Sequence, residues 1–106
     1  MGIKTTMDNI TVAKKNDNSF IVKGRITTET AYVLQESLTK RDRSNDSKLG
    51  LTLDFSDVAY ISSAGLKVLL TERKIAKDTL ISIINPSSVV RDVFEVTGFD
   101  SFFKIE

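Results

Sequence analysis

Ser62 and Ser63 stand side by side in "YISSAGLKVLL", residues 60–70, between two apolar runs. A serine at such a junction has two uses. Its hydroxyl can accept a hydrogen bond from one of the unpaired amides that open a helix, or it can be esterified by phosphate, which adds a charge of about −1.5 to −2. Serines at helix starts are caps far more often than phosphate acceptors, so their surroundings must decide between the two uses. Most catalytic chemistry is missing there: the 106 residues contain no cysteine and no histidine. That removes disulfides, thiolate nucleophiles, the usual zinc ligand sets and imidazole acid–base catalysis. Most enzyme chemistries are thereby disfavoured, and the expectation is of no cofactor and no metal.

Other candidate sites are weaker. The five glycines are dispersed and form neither a Walker A loop nor a dinucleotide fingerprint. Asp54 follows a strand-like run, where an α/β receiver would carry a phosphoryl-accepting aspartate. Such a site also needs an acidic cluster for a divalent cation, and "VKGRITTE" supplies only Glu29. Asp54 is therefore assigned to backbone amides of a loop in "FSDVAY". A formal net charge of +1 gives no cationic excess for nucleic acid. No stretch approaches the roughly 18 apolar residues of a membrane helix, and "MGIKTTMDNI" is too polar for a signal peptide. The expected location is cytoplasmic, without direct membrane contact.

The elements that must position the two serines follow from periodicity. With 41% hydrophobic and 27% charged residues, the chain predicts one folded domain over residues 9–106 after a flexible N-terminal segment, 1–8. "NITVAKK" and "SFIVKGRI" alternate across the turn-forming "NDNS" and predict a hairpin. "TTETAYVLQESLTKR" predicts a helix with Ala31, Leu34 and Leu38 inward, a threonine cap, Glu29 in its first turn, and Lys40 and Arg41 at the end that favours cations. "DRSNDSK" then reads as a long, tolerant loop. In "LGLTLDF", Leu49, Leu51, Leu53 and Phe55 share one side, so one face of the sheet is expected to stay partly open to water. A helix from about 63 to 77 turns Leu66, Leu69, Leu70 and Ala76 inward, and the strand "TLISII" follows. A helix in "SSVVRDVFEVTG" has Val89, Val93 and Phe94 as its stripe and Gly98 at its end, and "FFKIE" supplies a short edge strand. This order predicts an α/β fold: a mixed sheet opened by a β-hairpin, parallel thereafter, with helices mainly on one face.

"DFSDVAYISSAGLKVLL" and "INPSSVVRDVFEVTGFDSFFKI" resemble the STAS domain in its bacterial anti-sigma factor antagonist form, and "KGRITTETA" is similar to that family's entry into the first helix. The resemblance runs from about Ile10 to Ile105 and is most specific in "ISSAGLKVLL" and "VFEVTGF". It implies a non-enzymatic regulatory module that works as a partner switch. An anti-sigma factor that is itself a serine kinase would phosphorylate the serine matched by Ser63, with Ser62 as the rival acceptor. A serine phosphatase would reverse the step, and sigma-factor-dependent transcription would be regulated. The family pattern usually has an aspartate before that serine and often another after the second strand, where this chain has Ser62 and Thr27. Thr27, Tyr60, Ile61, Ser62, Ala64, Gly65 and Lys67 are the expected surroundings of the partner contact, with Gly65 leaving room for a partner's backbone. The same resemblance allows an alternative: a constitutive STAS subunit or scaffold of a transport or signalling complex, in which Ser63 is only a cap.

Overall fold

The computed structural model describes residues 4–7 and 9–106. The expected hairpin is β2 (Ile10–Asn16) and β3 (Ser19–Ile26), whose inward residues Ile10, Val12, Phe20, Val22 and Ile26 are all buried. A further strand, β1 (Lys4–Met7), runs antiparallel to β2 from Lys4 opposite Ala13 to Met7 opposite Ile10. This strand falls within the N-terminal segment, 1–8, expected to be flexible, of which positions 1–3 and 8 lie outside the described residues. Six strands follow one another across the sheet in chain order, β1 to β6. The first three are antiparallel. From β3 onward, through β4 (Leu51–Ile61), β5 (Ile81–Ile84) and β6 (Lys104–Ile105), every pair is parallel.

The helices α1 (Ala31–Thr39), α3 (Ser63–Ile75) and α4 (Ser88–Thr97) supply these parallel crossovers and share one core with the sheet. Leu51, Leu53 and Phe55 of β4 are completely buried in that core, whereas Thr52 and Asp54 on the other face are only half-buried. The one-sided arrangement predicted by the alternation is therefore present. What the alternation did not disclose is the length of β4. Its register against β3 slips twice, between Asp54 and Asp57 and again between Val58 and Tyr60. Each slip inserts an extra residue, so the buried positions after Phe55 are Val58 and Ile61. A bulge changes the side-chain period from two to three, which is why "FSDVAY" read as a loop.

Local details also differ. Glu29 precedes α1 instead of lying in its first turn, because Thr27 to Thr30 form a separate turn with its own hydrogen bonds. In α4 the inward pair is Val90 and Phe94, four apart, with Val93 partly buried; Val89 is 55% exposed. Gly98 ends that helix at φ +76°, a left-handed conformation suited to glycine. Leu70 is only half-buried, and Leu49, at 62% exposed, belongs to a short helix, α2 (Asp46–Leu49), instead of the strand.

That helix sits where a tolerant loop was expected, and a buried ionic cluster explains it. Arg41 is not an exposed helix-end cation: its side chain is fully enclosed. It donates to both Asp46 carboxylate oxygens at 2.7 and 2.8 Å and to Glu72 of α3 at 3.0 Å. Arg43 donates to Glu72 at 2.7 and 3.1 Å, while Asn18 and Thr79 donate to Asp46 at 2.9 and 3.1 Å. The hairpin turn, α2, α3 and the approach to β5 are thus fastened at one point. Burial alone would lower the Arg41 pKa and raise that of Asp46, but their mutual bonds outweigh burial. Arg41 is held above, and Asp46 below, the ordinary value.

Removing one partner of a buried pair strands the other charge, so Arg41→Met should cost about 3–5 kcal/mol in urea titration. A loss under about 1 kcal/mol would refute a structural role for the cluster. Because the Asp46 pKa is depressed on folding, its contribution is complete above the unfolded value of about 3.9 and is lost as pH falls through the lower folded value. Acid unfolding followed by circular dichroism should therefore steepen below about pH 4 in the parent protein, and Asp46→Asn should flatten that limb.

Candidate functional site

β3 and β4 end together, with Ile26 opposite Ile61. The next amide, Ser62 N–H, donates to the Ile26 carbonyl at 2.8 Å, and the chain then turns into α3. Ser62 keeps an extended backbone (φ −88°, ψ 172°), and its Oγ accepts from Gly65 N–H at 3.3 Å. It is the helix cap and is only 8% exposed. Ser63 is the first helical residue, and it is exposed. The cap is therefore Ser62, and Ser63 lies at the surface beside it.

Gly65 explains how the helix can begin so close to the sheet. A Cβ at this position would stand 2.6 Å from Ile26 Cγ2 and 2.8 Å from Ile61 Cγ1. Both isoleucines are locked in the core, at 0% and 2% exposed. The space at Gly65 is filled by the protein's own core and not left for a partner, which corrects the expectation drawn from its first-turn position.

The remaining expected residues occupy different depths. Tyr60 is 37% exposed, with the Arg25 guanidinium 4.9 Å from its ring centroid. Lys67 is exposed one turn along α3, Thr27 and Ala64 are half-buried, and Ile61 is buried beneath them. Thr27 belongs to a closed threonine turn. Its N–H donates to Thr30 Oγ1 at 2.8 Å, and that hydroxyl donates to the Arg25 carbonyl at 2.8 Å. Arg25 was missed by sequence reasoning; its place across from Tyr60 depends on the second register slip in β4. Asp54 Oδ1 accepts from Ser56 N–H at 2.9 Å, the expected backbone role, although within the bulged strand instead of a loop.

A separate cleft of about 210 Å³ lies between the hairpin and α1, but its floor residues Val12, Phe20 and Val33 are at most 2% exposed, so it offers a ligand little apolar surface. Among the described residues no group of three or more acidic side chains could hold a metal ion. The exposed end of β3, β4 and α3 is thus the candidate site, and its chemistry is a hydroxyl on a rigid, mixed-charge surface.

The STAS domain model matches residues 9–106. The chain belongs to the STAS domain family. This STAS protein is 30% identical over 102 residues to the anti-sigma-F factor antagonist RsfB of Mycobacterium tuberculosis, spanning 92% of this chain and 82% of that one. Its fold is similar to the crystal structure of an anti-sigma factor antagonist from Mycobacterium paratuberculosis, with a TM-score of 0.70, 24% identity, and coverage of 99% of this chain and 83% of the other. It is also similar to the Bacillus cell fate determinant SpoIIAA in its phosphorylated form, with a TM-score of 0.59, 13% identity, and coverage of 92% and 90%. The STAS chain is a regulatory binding protein and not an enzyme. No helix among the described residues is long and apolar enough to cross a membrane.

Two substitutions separate scaffold from surface in this STAS domain. Gly65→Val forces side-chain atoms into Ile26 and Ile61 and should cost at least about 1–3 kcal/mol in thermal or chemical unfolding, the usual range for overpacking. Ser62→Ala should cost about 1 kcal/mol through the lost cap, whereas Ser63→Ala should change stability by less than about 0.5 kcal/mol. Equal losses at the two serines would show that the cap is shared.

Proposed function

We propose that this STAS protein is a cytoplasmic anti-sigma factor antagonist that binds an anti-sigma factor serine kinase and is released when that kinase phosphorylates Ser63. The observation that carries the reading is the pairing of an exposed Ser63 hydroxyl with a buried, capping Ser62. It is supported by the antagonists among the relatives and by a structural neighbour solved in a phosphorylated form. In the reaction, Ser63 Oγ forms a bond to the γ-phosphorus of ATP. The bond from that phosphorus to its bridging oxygen breaks, and ADP and the hydroxyl proton leave. A serine phosphatase would hydrolyse the ester and restore the binding form.

The energetics favour a switch over unfolding. Phosphate on Ser63 projects from a surface position, so the core beneath, Ile26, Ile61 and Leu66, keeps its contacts. A partner packed on the same surface would instead have to desolvate a group of charge near −2, at a cost of several kcal/mol if it is unpaired. Each 1.4 kcal/mol is a tenfold change in affinity, so the complex breaks while the domain persists.

The test begins with capture of the partner from lysate with and without ATP, followed by mass analysis of the bound protein. Ser63→Ala should bind that partner within about twofold of the parent protein and accept no phosphate, while Ser63→Asp should bind at least about tenfold more weakly at unchanged melting temperature. Ser62→Ala, run in parallel, should still be phosphorylated. Phosphate mapped to Ser62, or parent-like binding by Ser63→Asp with neither serine modified, would defeat the switch and favour a constitutive STAS subunit or scaffold.

A further inference from the structure

We infer that phosphate on Ser63 is held by Lys67, the ammonium one helical turn along α3, as an internal counter-ion. The inference rests on the reading of Ser63 as the phosphate acceptor and names a residue that regulates the outcome. Ser63 and Lys67 are at positions i and i+4 of one regular helix, and both are exposed. Helical side chains tilt toward the N-terminus, so the Lys67 stem leads back over the turn that begins with Ser63. An anion four residues before a cation is also the more favourable order of such a pair.

Lys67 is available for this role. The lysines Lys14, Lys23 and Lys104 have carboxylate partners, and Arg41 and Arg43 share Glu72. Among the described residues the Lys67 ammonium has no ion pair, and only its backbone carbonyl is engaged, by Thr71 Oγ1 at 2.9 Å. The other charged groups on the elements flanking Ser63 compete poorly. The Arg25 guanidinium lies over the Tyr60 ring, Glu29 on the turn before α1 is an exposed carboxylate and no counter-ion for phosphate, and Glu72, further along α3, is buried with Arg41 and Arg43. Phosphorylation then alters the partner surface twice in one step: a dianion appears, and a cation formerly open to the partner is withdrawn.

The test places phosphoserine at position 63 by genetic encoding, so no kinase is needed, and follows its second ionisation by phosphorus NMR. The protein with Lys67 should show a lower phosphoserine pKa than Lys67→Met, by about 0.2–0.4 from the usual strength of such pairs. Lys67→Arg should restore the lower value, and the difference should shrink in 1 M salt, where the screening length falls to about 3 Å. Unphosphorylated forms of all three proteins should melt together. Identical titrations for the Lys67 and Met proteins, or a difference indifferent to salt, would overturn the inference. That result would leave the Ser63 switch untouched, because the switch is judged separately by kinase modification and partner affinity.

Discussion

The approach of the first turn of α3 to the paired ends of β3 and β4 governs the rest of the exposed end. It exists because Gly65 has no side chain, so backbone can lie against Ile26 and Ile61 at distances that a Cβ would forbid. Ser62 completes the junction from both sides, giving its N–H to the Ile26 carbonyl and its Oγ to the Gly65 amide. Once those bonds are made, the helical rotation carries Ser63 outward and sets Lys67 on the same face one turn later. The chemistry on offer is therefore a consequence of close packing beneath it.

The far end of α3 is fixed by different physics. Glu72 enters the buried cluster with Arg41 and Arg43, and Arg73 donates to the carbonyls of Thr79, Ala76 and Lys77 just beyond the helix. Two guanidinium groups and two carboxylates balance in charge, and no buried side-chain nitrogen or oxygen among the described residues lacks a hydrogen-bond partner. A cluster of this kind adds little net stability over apolar packing, but a half-made version is costly, which favours one arrangement of the connected elements. With both ends secured, α3 is a stiff platform. Ser63 stands at the exposed start of this platform, and Glu72 anchors its other end.

Much of the fold was legible because its causes are local. Alternation in "LGLTLDF" forecast a sheet covered on one face, and the dispersed glycines and missing histidine and cysteine removed whole classes of chemistry. The double serine marked a helix start, since capping is settled by bonds within about three residues. The errors fall where that locality fails. The strand signal of β4 stops at Phe55 because two bulges change the spacing of buried residues beyond it, and the short apolar run at Val89 and Val90 does not reveal which of the two faces inward.

The sequence by itself determined the hairpin and the three strand–helix crossovers that follow it, the one-sided sheet and the presence of a serine pair at a helix start, all of which are written in side-chain periodicity and short-range hydrogen bonding. Only the tertiary structure decided which serine is exposed, why residue 65 is glycine, and that Arg41 is interior. Each of those facts depends on groups distant along the chain: Gly65 meets Ile26, Arg41 meets Glu72 across 31 positions, and Asp46 meets Thr79 across 33. A residue's burial and charge partners are properties of the packed molecule, and no local pattern encodes a neighbour that arrives from another strand or helix.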